Sequence, residues 1–119
     1  MITTEVHQVL SWVVIISNGV AGAWALGAHW VPLLRVRALW WAVVAAELTI
    51  FAQVGLGVFM LAGQGLVVGR FHVFYGFVAI VAVAILYAYR ASLTAWLYLL
   101  YGFGGLFLMG LAIRSHVLA

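Results

Sequence analysis

The chain has no cysteine, no aspartate and no lysine, and it holds a single proline among 119 residues. Without cysteine there are no disulfides, no thiolate metal ligands, no iron–sulfur clusters and no cysteine nucleophile. Acidic side chains are almost absent: Glu5 and Glu47 are the only two. No Walker A loop, GxSxG elbow, HExxH helix, aspartate pair or dinucleotide-binding glycine fingerprint occurs. Soluble-type hydrolase and nucleotide chemistry is therefore not encoded. The five basic residues, Arg35, Arg37, Arg70, Arg90 and Arg114, are scattered and leave a net charge of +3. They form no stripe that would follow a phosphate backbone, so nucleic acid is not an expected partner.

What the chain does have is apolar surface. Hydrophobic residues make up 69% and charged residues 6%, with a mean hydropathy of +1.28. A soluble domain of this size leaves too much surface in water to hide such a composition. A lipid bilayer is the fitting solvent. A spanning helix needs about 20 mostly apolar residues, so the chain holds about four in one domain, 1–119. The first apolar stretch begins near Val9, behind an N-terminus with Glu5 and no Lys or Arg. It is too long for a signal-peptide core, so cleavage is not expected.

Charge punctuation predicts four spans, at roughly 7–30, 38–62, 71–89 and 93–113. The apolar runs are continuous rather than alternating, which favours helices over strands. The connections are short: 31–37 with the only proline, a Gly-rich turn over 63–70, and Arg90-Ala91-Ser92. Short connections force antiparallel neighbours. The expected fold is all-α, an integral membrane up-down bundle of four transmembrane helices, with both termini on one side. Three Arg in the 31–37 and 90–92 loops stand against Arg70 and Arg114 opposite. That margin places both termini outside the cytoplasm of a bacterial inner membrane. Small residues recur at close-packing spacing: Gly19, Ala23 and Gly27 on span one, Ala42 and Ala46 on span two, Gly102, Gly105 and Gly110 on span four. Such positions let helix backbones approach in lipid, within the bundle or against another subunit. The two halves do not align at their polar positions, so an inverted-repeat transporter is not indicated.

Glu47 is the most telling residue. It lies in the run from Ala38 to Ala62 with no other charge. A lone carboxylate at bilayer depth costs about 2.5–3.5 kcal/mol on insertion scales. A partner, a proton or a function must offset that. Asn18 and Gln53 complete a mid-membrane polar set. Their simpler role is interhelical hydrogen bonding. Gln53 follows Glu47 by six residues, about 120° around the helix, so the two cannot share one narrow face.

His7, His72 and His116 form a second constellation. An up-down bundle brings the starts of spans one and three and the end of span four to one surface. Spans one and three are then diagonal and parallel. Two inward imidazoles on diagonal helices can hold a haem iron. Gly76, one turn after His72, leaves space for a flat ring. The plainer reading is that interfacial histidines face headgroups and water. A three-histidine zinc site matches no local spacing motif. Tyr75 and the aromatic segment 71–76 would suit a quinone headgroup, or else anchor the helix at the interface.

The stretch Gln53-Val54-Gly55-Leu56-Gly57, a Gly-rich turn and His72 opening the next span resemble a half-module of the haem A synthase family. The resemblance covers roughly residues 50–76. It implies a four-helix unit with histidine haem ligands and makes His72 the ligand candidate. The chain departs from that family in showing a single half and no Glu-x-x-x-His pattern inside a span. Tyr75-Gly76 and the segment Gly104 to Gly110 also resemble small actinobacterial multi-pass membrane proteins of unknown function, which implies no activity.

Three functional expectations follow. The first is an accessory or scaffold subunit of a larger bacterial membrane complex, a respiratory one among the candidates, with other membrane subunits or further copies of itself as partners. The second is a haem- or quinone-binding redox bundle using His72 with His7 or His116. The third is an oligomeric transporter or channel built around Glu47.

Overall fold

The computed structural model describes the backbone of residues 2–63 and 70–117, and side chains over 5–63 and 72–117. The Gly-rich turn expected over 63–70 lies almost wholly outside the described residues. Among the described residues there are four α-helices: α1 (Ile2–Trp30), α2 (Arg37–Gly63), α3 (Arg70–Tyr89) and α4 (Leu97–Val117). Each contains a stretch long and apolar enough to cross a membrane. They run up and down in a bundle with extents of 48 × 24 × 20 Å. α1 packs most closely on α4 and next on α2, and α3 packs on α4. α2 and α3 touch only sparsely, which leaves a loose seam on that side.

The helix boundaries have local causes. Val31 precedes the only proline, which biases it away from helical backbone, and its φ of −113° and ψ of 100° are extended. Pro32–Leu34 then forms a 3-10 turn. Arg35 folds back over the end of α1. Its Nε donates to the Ala28 carbonyl and its Nη2 to the His29 carbonyl, both at 2.6 Å. A cation suits the negative end of a helix. The same guanidinium lies 5.2 Å from the ring centre of Tyr98 on α4, tying the two helices together.

The last helix is displaced from the expected span 93–113. Tyr89 and Leu93 carbonyls accept from the Leu93 and Trp96 amides, and Thr94–Trp96 forms a second 3-10 turn. Only then does α4 begin. It continues to Val117 because nothing breaks it after Ile113, and Arg114 and His116 in the last turn complement the helix dipole. α1 likewise starts at Ile2, ahead of the expected 7, with Glu5 favourably in its first turn.

The tightest contact joins α1 to α4. A methyl group added at Gly22 would sit 2.7 Å from the Leu106 nitrogen, and one at Gly105 would sit 2.7 Å from the Gly22 Cα. At Gly102 it would meet the Leu26 backbone, also at 2.7 Å. Backbone therefore rests on backbone, and no side-chain rotation can relieve an added carbon. Ala21, Ala25 and Ala28 continue the buried stripe of α1. The backbone-on-backbone contact thus runs through Gly22, with Gly19 of the expected stripe packing on α4 beside it and Ala23 and Gly27 away from it. Ala23 is exposed, Gly19 faces the Met109 side chain, and Gly27 faces the end of Leu34. Asn18 decides this rotation. It is 2% exposed, and its Nδ2 donates to the Val14 carbonyl at 2.9 Å and to the Ala46 carbonyl of α2 at 3.3 Å. Turning Asn18 inward carries Gly22, one turn on, inward with it.

Gly22→Leu and Gly105→Leu should each lower the thermal unfolding midpoint in detergent, by at least the about 1–3 kcal/mol typical of overpacking. Gly110, which has nothing within 4 Å of an added methyl, should accept Ala without loss. Equal tolerance at all three positions would contradict the backbone contact.

Candidate functional site

The histidine end of the bundle draws on all four helices. His7 comes from the second turn of α1, Gln53 and Gly57 from the second half of α2, His72 from the start of α3 and Ser115 from the end of α4. The rings of His7 and His72 lie with centres 6.0 Å apart and planes at 73°. Gln53 braces His7: its Nε2 donates to the His7 carbonyl at 2.8 Å and lies 3.4 Å from the His7 Nε2. Gly57, one turn beyond Gln53, lets the His7 ring lie against α2. A methyl group there would approach the His7 Cε1 to 3.4 Å.

The hydrogen bonds fix tautomers. A backbone carbonyl can only accept, so His72 Nδ1–H donates to the Ser115 carbonyl at 2.8 Å. The Ser115 hydroxyl oxygen lies 2.9 Å from the same nitrogen and shares that proton. With Nδ1 protonated, the neutral His72 ring keeps its Nε2 lone pair for a ligand. A carbonyl holding the other nitrogen is how metal-binding histidines are commonly oriented. On His7, the amide of Gln53 points at Nε2, so Nε2 accepts and Nδ1 carries the hydrogen. Among the described residues, His7 Nδ1 and Gln53 Oε1 are buried without a partner. One is a donor and the other an acceptor. Leaving such groups unpaired costs about 1–3 kcal/mol each.

His116 stands apart from this pair. Its Nδ1 lies 3.0 Å from the Ser11 hydroxyl, and its ring rests 4.9 Å from that of Trp12. Among the described residues no three His, Asp or Glu side chains come together to hold a metal ion. Tyr75 is half-buried against the core, with the Phe74 ring 5.6 Å away. Gly76 faces Val54 across the loose α2–α3 seam, where an added methyl would still lie 3.9 Å from the valine Cγ2. The side chain of Phe71, part of the aromatic segment, lies outside the described residues.

The mid-bundle polar set divides. Gln53 belongs to the histidine end. Glu47 and Asn18 line a central cavity with Tyr101 of α4 and Leu86 of α3. Its volume for water centres is about 10 Å³, room for about one water molecule. Between the two polar centres, the Ser17 and Thr49 hydroxyls lie 3.4 Å apart, and Thr49 donates to the Ala46 carbonyl that Asn18 also reaches.

Several of these residues carried no sequence signal strong enough to find them. Ser115 and Ser11 are single hydroxyls near helix ends. Gly57 is one of thirteen glycines. Gln53 and Gly57, one turn apart and upstream of His72, were the one readable hint.

Gln53→Leu should destabilise the bundle by about 0.6–1.7 kcal/mol, the measured range for interhelical hydrogen bonds in membranes. Amide hydrogen exchange should rise at the start of α1 and not at the Arg35 end. No family model matches the chain, and no curated protein or solved structure matches it either.

Proposed function

We propose that the protein is an integral membrane bundle that binds a haem or a quinone where His7, Gln53 and His72 converge, and that it takes part in electron transfer. The observation that carries this reading is the convergence itself. Two imidazoles from diagonal helices meet inside an otherwise apolar bundle, beside a buried donor and a buried acceptor that have no partner. His72 keeps its Nε2 free and would hold an iron there, and His7 would add its own Nε2 only by releasing the long 3.4 Å contact with the Gln53 amide. A bound haem supplies reversible one-electron chemistry at the iron. The chain's own residues do the rest: Ser115 orients His72, Gln53 braces His7, and Gly57 makes room for its ring.

A quinone is favoured by a different observation. Its carbonyl can accept from His7 Nδ1–H, and the hydroxyl of its reduced form can donate to Gln53 Oε1. The loose α2–α3 seam, with Gly76 in it, offers a lipid-soluble ring a lateral way in. The resemblance of residues 50–76 to the haem A synthase half-module supports the haem alternative.

The wider setting is also a proposal. Large apolar side chains are exposed all round the bundle, including Val9, Val20, Trp41, Phe59, Phe77 and Phe107, as a lipid-facing surface requires. A bacterial cytoplasmic membrane, with both termini outside, fits the arginine distribution. Membership of a larger respiratory complex as an accessory subunit is supported by small size and missing catalytic motifs. The ligand reading stands first because the His7, Gln53 and His72 cluster favours it. Glu47 is half-buried and lines the central cavity, which favours a role inside each bundle over a channel shared between protomers.

Purification in mild detergent, read by absorbance and by analysis of extracted lipids, tests the reading. A haem-loaded protein should show a Soret band that His72→Ala and His7→Ala abolish and His116→Ala leaves in place. A quinone-loaded protein should be colourless and should lose its quinone in Gln53→Leu. Protein with neither ligand, in membranes containing both, would overturn the proposal.

A further inference from the structure

We infer that Glu47 is an internal proton-binding site, reached from the water phase at the Arg90 end past Tyr101, and that its charge is coupled to the ligand at His7 and His72. The coupling rests on the ligand reading; the proton site does not. Three observations carry it. Glu47 is the only acidic side chain among the spans' interior positions, and it lines the central cavity, where about one water fits. The groups that face it are polar yet uncharged: Asn18 from α1 and Tyr101 from α4, with Leu86 closing the α3 side. No Arg, His or second carboxylate lines the cavity, so among its lining residues there is no ion-pair partner. An unpaired carboxylate in such a place takes up a proton, and intramembrane carboxylates commonly mark proton pathways.

The surroundings form a route. Tyr101 lines the same cavity as Glu47 and sits one turn into α4 from the Arg90 end of the bundle. Arg90 and Tyr87 are exposed at the α3–α4 turn, with the guanidinium 4.2 Å from the tyrosine ring centre. Toward the other end, Asn18 and Thr49 share the Ala46 carbonyl and Thr49 lies 3.4 Å from the Ser17 hydroxyl, while Gln53, one helical turn beyond Thr49, holds His7. Glu47 precedes Gln53 by six residues, about 9 Å along the helix. In a medium of low dielectric, charges at that separation still interact strongly. The step itself is plain protonation. One carboxylate oxygen accepts a proton from water and the negative charge is lost. A positive charge gained at the ligand favours the carboxylate, and a negative one favours the acid.

The scarcity of carboxyl groups makes the test clean. Infrared spectra of the protein in liposomes should show a protonated-carboxyl band that titrates with pH. It should persist in Glu5→Gln and vanish in Glu47→Gln, a change that preserves side-chain volume and fold. Deuterium exchange of that band should slow at least severalfold in Tyr101→Phe. A titrating band that survives Glu47→Gln, or no Glu47-dependent titration at all, would overturn the proton site. In ligand-loaded protein, the midpoint potential should depend on pH in the wild type and lose most of that dependence in Glu47→Gln. An unchanged slope would overturn the coupling alone. Protein that binds no redox ligand would sink the ligand reading and the coupling, while the infrared titration still decides Glu47.

Discussion

The contact of the α1 backbone with the α4 backbone at Gly22, Gly102 and Gly105 is the constraint on which the rest depends. For four helices apolar enough to cross a membrane, lipid would offer little hydrophobic drive for association, and close backbone approach and interhelical hydrogen bonds would have to supply it. Once α1 and α4 touch, the other helices have few choices. Asn18 turns inward and reaches the α2 carbonyl of Ala46. α4 carries α3 through Leu86 beside Gly104 and through Ser115 against His72. α2 and α3 close the ring only loosely.

That arrangement sorts the few polar side chains into two places. At one end, His7, Gln53, His72 and Ser115 satisfy most of each other's hydrogen bonds and leave one donor and one acceptor over. At the centre, Asn18, Glu47 and Tyr101 surround space for about one water. Asn18 and Gln53 help to hold the helices together, whereas Glu47 and the unpartnered His7 Nδ1 and Gln53 Oε1 gain nothing from packing alone. On the proposed reading these groups serve a ligand at the end and a proton at the centre.

Much of the architecture was legible in the sequence because apolar runs and arginine punctuation are strong signals. Four helices, their antiparallel order and the gathering of His7, His72 and His116 at one end follow from span lengths and short connections. The rotation of each helix about its axis was not legible, because the spans are apolar all round and periodicity has nothing to grip. Hence the stripe of Gly19, Ala23 and Gly27 attracted notice while Gly22 made the backbone contact. Gln53 and Glu47 share a depth but lie on different faces, as their six-residue spacing requires, and which neighbours each face meets was not legible. The displacement of α4 came from a 3-10 turn over 94–96 that no proline or glycine announces. Partners such as Ser115 become visible only once the helices are set side by side.

The most direct measurement is an experimental structure of the protein purified from its native membrane without added ligand. The account predicts density for a flat ligand in contact with His72 Nε2 and beside His7 and Gln53, with His72 Nδ1 still facing the Ser115 carbonyl. Imidazoles of His7 and His72 closed directly on each other or on water, with Gln53 Oε1 paired within the protein, would contradict it.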